Sequence, residues 1–175
     1  MSKKKTSTFY LTERLTITAG STPVTATIDL GAYVDVADRQ AIAIEEVDFI
    51  MQGTTANAEV ATSTGTDNSI FAQVSDLNRG GTIQFADDRA LVASGAMHVD
   101  SQKGQYSSAD MYPDVFGARD GVRLVVNDQL YLTAESTGIT SGNSVNVTVR
   151  VKAHVAGLTA KDWMAIAIQS TAADN

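Results

Sequence analysis

From Phe9 onward the chain alternates apolar and polar side chains. Phe9, Leu11, Leu15 and Ile17 fall on one side, and Thr12, Arg14, Thr16 and Thr18 on the other. Glu13 lands on the apolar side, so the pattern predicts a strand that starts after it or a bulge. The turn chemistry of AGSTP at 19–23 separates this element from a second strand. There Val24, Ala26, Ile28 and Leu30 alternate with Thr25, Thr27 and Asp29. Over Gln40–Gln52 the pattern changes phase. Ile42 and Ile44 occupy even positions, whereas Val47, Phe49 and Met51 occupy odd ones. The break falls at Glu45–Glu46 and predicts a bulge there, or a strand that crosses between sheets. Enrichment in Ile, Val and Phe argues against a helix.

The middle of the chain is less periodic. Residues 53–68 are small and polar, a long loop or a weak edge hairpin. Ile70, Ala72 and Val74 mark a short strand. Asn78–Gly81 reads as a turn before the short segment Thr82–Phe85. Residues 87–97 suggest one helical turn, and 98–120 read as loop. Order returns with Val122, Leu124 and Val126, a turn at Asn127–Asp128, and Leu130 and Leu132. The cleanest strand is Ser144–Val155. Val145, Val147, Val149, Val151, Ala153 and Val155 face one way, and Asn146, Thr148, Arg150, Lys152 and His154 the other. Thr159 can then cap a short helix with Asp162 in its first turn and Trp163, Ile166 and Ala167 on one stripe. The alternation at Met164–Ile168 allows an extra strand instead.

Seven to nine short strands and little helix predict an all-β domain: a two-sheet antiparallel β-sandwich, a single jelly roll or a barrel. The domain is expected to span 9–170, between a flexible basic arm at 1–8 and a disordered tail at 171–175. No strand–helix–strand alternation and no internal repeat accompany the strands.

Composition removes chemistries. The chain has 175 residues, no Cys and two His, which excludes disulfides, thiolate metal sites and cysteine nucleophiles. No apolar run approaches the roughly 18 residues of a membrane helix, and no signal peptide follows the basic start. The net charge is −7, and Lys3, Lys4 and Lys5 set it apart from the body. Without them, ten cationic side chains face twenty acidic ones, a net of −10. Only the amino-terminal tip is therefore suited to attract nucleic acid.

Few constellations could carry chemistry. Arg150, Lys152 and His154 form a basic stripe on one strand face, suited to a phosphate or carboxylate, or to a neighbouring subunit, and otherwise a solvated face. Glu45, Glu46 and Asp48 bring three carboxylates together; a glycosidic pair needs two across a cleft, but an acidic strand face is the plainer reading. Oxygen clusters such as these, or Asp87–Asp88 with Asp76, could take calcium, and His98 sits beside Asp100. Trp163 reads as a core or interface anchor rather than a ligand platform. No catalytic residue, metal site or cofactor motif stands out, so the chain is not expected to be an enzyme.

The run from Val122 to Trp163 carries a resemblance: GVRLVVNDQLYLTAES, then NSVNVTVRVKAHV, then GLTAKDWMAIA. With a basic arm and a long bulged strand near residue 45, this resembles the single-jelly-roll capsid proteins of small icosahedral viruses. The resemblance implies eight strands in two facing sheets, and a structural subunit that assembles with its own copies, and with other capsid proteins, into an icosahedral shell. It implies a virion location with assembly in the host cytoplasm. The arm would point inward, with Lys3, Lys4 and Lys5 contacting genome or an internal membrane. Arg150, Lys152, His154 and Trp163 would lie at subunit contacts. Three basic arm residues are fewer than shells that condense RNA through the arm employ. The alternative class is a carbohydrate- or ligand-binding β-sandwich module; a hydrolase using Glu45, Glu46 and Asp48 ranks third.

Overall fold

In the computed structural model, β10 (Ser144–Gly157) is a central strand because its inward residues are all apolar. Val145, Val147, Val149, Val151 and Ala153 are fully buried. The structure describes residues 3–20, 23–54, 59–60, 63–65, 67–100, 102–103, 105–112 and 122–171. Before β10 come β1 (Lys3–Lys4), β2 (Phe9–Thr18), β3 (Val24–Asp29), β4 (Gln40–Gly53) and β5 (Asn68–Ser75). β6 (Leu91–Asp100), β7 (Gln105–Tyr112), β8 (Arg123–Val125) and β9 (Gln129–Ser136) follow, and the helix α1 (Ala160–Thr171) comes after β10.

Two antiparallel five-stranded sheets result. Sheet A places β2 and β1 along one side of β10, with β4 and then β8 on the other; sheet B runs β3-β9-β5-β6-β7. The pairings are nested: β2 with β10, β3 with β9, β4 with β8, β5 with β6. The first half of the chain pairs with the second in reverse order, so one long hairpin is wound across two sheets. That winding is a jelly roll. One core lies between the sheets, built from Leu15, Ile17, Ile42, Ile44, Ile70, Val74, Leu130, Leu132 and the inward valines of β10.

The expected bulge in β4 is present. Lys152 pairs with Glu46 but Ala153 pairs with Ile44, so Glu45 is the extra residue. Inserting it returns Ile42 and Ile44 to the core alongside Val47, Phe49 and Met51. Glu13 needs neither a bulge nor a late start. β2 pairs with β10 without a break from Thr18 to Phe9, and Glu13 sits half-buried on the inward side opposite Val149.

Several expectations are corrected. Residues 91–100 are a strand, not a helical turn, and 105–112 form a further strand where a loop is expected. The expected helix after Thr159 is present over 160–171, capped by Thr159 Oγ1 accepting from Asp162 N at 3.2 Å, and the alternative strand at Met164–Ile168 is not formed. The basic arm is not free along its described length. β1 pairs with Ala156–Gly157, Lys5 N donates to Val155 O at 2.8 Å, and Val155 N donates to Thr6 Oγ1 at 3.0 Å. β10 outruns β2 at this end, and the arm satisfies the backbone groups left over. Thr171 closes α1; the rest of the expected tail lies outside the described residues. No helix among the described residues is long and apolar enough to cross a membrane.

Candidate functional site

The basic stripe and the acidic triplet are two sides of one surface. The sheet register places them on neighbouring strands, Lys152 opposite Glu46 and Arg150 opposite Asp48. Alternation along β10 and β4 turns these groups away from the core, onto the outer face of sheet A. Lys152 Nζ lies 3.4 Å from Glu46 Oε2 and 4.0 Å from Glu45 Oε2. The Glu46 hydrogen bond and charge hold the Lys152 ammonium above its ordinary range. Arg150 instead lies over the Tyr10 ring, 4.8 Å from its centroid.

Glu45, the bulge residue, is the hub of the arm. His154 Nδ1 donates to its Oε1 at 2.7 Å, Thr8 Oγ1 at 3.1 Å and Lys4 Nζ at 3.4 Å. Burial alone would raise the Glu45 carboxyl. The hydrogen bonds from His154, Thr8 and Lys4, with the Lys4 charge, outweigh it and hold the group below its ordinary value. An ionised carboxylate only accepts, so the His154 proton sits on Nδ1. Sequence reasoning flags Glu45 and His154 separately, yet only the bulge brings them together.

Lys3 and Lys4 stand exposed on β1 beside the end of β10. Trp163 lies on the inner side of α1, packed with Leu124, Ile166 and Ala167 against Ala41, Val126 and Leu158. Its buried Nε1–H has no hydrogen-bond partner among the described residues.

At one end of the sandwich, Arg123 Nη2 donates to Asp76 Oδ2 at 2.9 Å and to Arg89 O at 2.6 Å. Burial raises the Asp76 carboxyl above its ordinary value, and Arg123 only partly offsets this. Asp88 is bound to Arg79 at 3.2 Å. Asp76 and Asp88 are thus committed to arginines, and no metal-holding group of three or more acids or histidines occurs among the described residues.

On the outer face of sheet B lies an open polar groove of about 630 Å3, lined by Asp67, Ser69, His98, Asp100, Gln105 and Ser107 among others. Ser69 Oγ and His98 Nδ1 share a hydrogen bond of 2.7 Å, and Lys103 holds Asp100 at 3.0 Å. Sequence reasoning isolates His98 and Asp100 but misses the groove, because it reads β7 as a loop.

No protein-family model matches the chain, and no curated protein matches it. Among solved structures, the chain is similar to VP1 of Trichodysplasia spinulosa-associated polyomavirus, a structure solved in complex with sialylated precision glycooligomers. The two share 12% identity over 85% of this chain and 95% of that one, with a TM-score of 0.40. The jelly-roll assignment rests on this chain's own strand order.

Proposed function

We propose that the protein is a structural shell subunit, a viral capsid protein that associates with copies of itself and works without catalysis. The observation that carries this reading is the strand order. Nested pairing of β2–β5 with β10, β9, β8 and β6 is the jelly-roll winding that shell subunits share with lectin domains. A rigid two-sheet frame positions loops and outer faces for contacts, which is what a closed assembly needs. In this reading Arg150, Lys152, His154 and Trp163 lie at or beside subunit contacts. Lys3, Lys4 and Lys5 face the shell interior, toward nucleic acid or an internal membrane, and the protein resides in the virion after assembly in the host cytoplasm. Light scattering on the purified protein tests it: a mass many times the 18.5 kDa subunit supports the reading, and a monomer at all concentrations and salts refutes it.

A second reading, a carbohydrate-binding module, draws on the groove around His98. Its acceptors, hydroxyls and ring are suited to sugar hydroxyls. Glycan binding lost on His98→Ala, in a protein that stays monomeric, would favour it.

A further inference from the structure

The outer face of sheet A is charged in columns. Three rungs cross it: Tyr10, Lys152 and Glu46; Thr12, Arg150 and Asp48; Arg14, Thr148 and Ile50. The β2 and β10 columns hold three cations, and the β4 column holds Glu46 and Asp48. Arg150 and Asp48 stand directly opposite each other but form no ion pair with one another. Among the described residues Arg14 also forms none. Tyr10 is 53% exposed and Ile50 is 36% exposed on the same face. Tyr and Arg are residue types that anchor protein interfaces, and here exposed Tyr10 on β2 lies beside half-buried Arg150 on β10.

We infer that this face docks onto the same face of a second copy. The twofold axis runs parallel to the strands, between β10 and β4. Rotation about it lays each β10 over the partner's β4 while keeping every rung at its level. Arg150 then meets Asp48 of the partner subunit, Lys152 meets Glu46 of the partner subunit, and Thr148 meets Ile50 of the partner subunit. Each pairing occurs twice, as an isologous contact requires. Adjacent columns of opposite sign make the face complementary to itself. That match selects a second copy, because another acidic surface would meet the Glu46–Asp48 column and be repelled. The helix α1 stands on Ala41 at one end of this face, so the contact is confined to the three rungs between Lys152–Glu46 and Thr148–Ile50.

The inference rests on the self-association proposed above and specifies one of its contacts. Sedimentation of full-length protein and of charge-reversal variants, with folding verified by circular dichroism, tests it. Arg150→Asp and Asp48→Arg should each weaken association about tenfold or more, by opposing like charges across the axis. The double variant should restore it. Rising salt should weaken the wild-type contact. If the wild type assembles and the single reversals change nothing, or the double variant fails to rescue, this face is not the contact although the shell reading survives. If the wild type is monomeric throughout, both fail.

Discussion

Glu45 and His154 are joined across the β4 bulge, His154 Nδ1 to Glu45 Oε1 at 2.7 Å, and the same carboxylate receives Thr8 and Lys4 of the amino-terminal arm. One inserted residue therefore fastens the arm to the sheet. Glu45→Gln should weaken this clamp by about 1–2 kcal/mol, since hydrogen bonds involving a charged group exceed neutral ones. Hydrogen exchange at the Lys5 and Val155 amides should accelerate, while amides in mid-β10 stay protected. Unchanged exchange at Lys5 would show that Glu45 does not hold the arm.

The pH dependence of the clamp has a definite sign. The Glu45 carboxyl titrates lower in the folded state than its ordinary 4.5. Its contribution is present above that value and disappears as pH falls through the folded pKa. Asp76 behaves oppositely: its carboxyl is raised above the ordinary 3.8. Protonation of Asp76 favours the folded state, and what it contributes is lost as pH rises through the folded pKa. Acidification should therefore loosen the arm before the end of the sandwich around Asp76. Exchange rates at Lys5 and at Ala90–Leu91, followed from pH 6 to 3, check the order.

Asp76 is 1% exposed, and Arg123 is its charge partner. Arg123→Met leaves a buried carboxylate without that partner and should cost about 3–5 kcal/mol. Asp76→Asn with Arg123→Met should recover much of the loss. Urea denaturation midpoints with unchanged slope measure both.

Gly95 on β6 faces the core where the Phe49 ring crosses from sheet A; a Cβ there would meet Phe49 Cδ2 at 2.9 Å. Gly95→Val should destabilise by about 1–3 kcal/mol through overpacking. Phe49→Leu in the same chain should return part of it. Additive losses would contradict the contact.

Glu13 points inward from the long edge strand β2, where a charge deters a further strand from pairing. Glu13→Val should raise thermal stability yet promote irregular aggregation, seen as turbidity and thioflavin binding. A variant as soluble as wild type would remove this role from Glu13.

These sites were unequally legible in the sequence. β10 was readable because one face meets the core and the other is polar from Ser144 to His154, and the β4 bulge because the core residues change parity at Glu45. β6 was not, since Leu91–Ala96 are buried on both faces and alternation vanishes. Covering groups account for part of this: the loop beyond Asn78 folds back over sheet B, where Gln73 and Gln84 exchange two hydrogen bonds. β7 has the polar sequence QYSSADMY and is a strand through pairing with β6. The Glu45–His154 contact joins residues 109 positions apart, so only the register of β4 against β10 could reveal it.

Electron microscopy of the purified chain, across salt and protein concentration, tests the central claim most directly. The shell-subunit account expects closed particles of uniform diameter. Dispersed single subunits under every condition would contradict it.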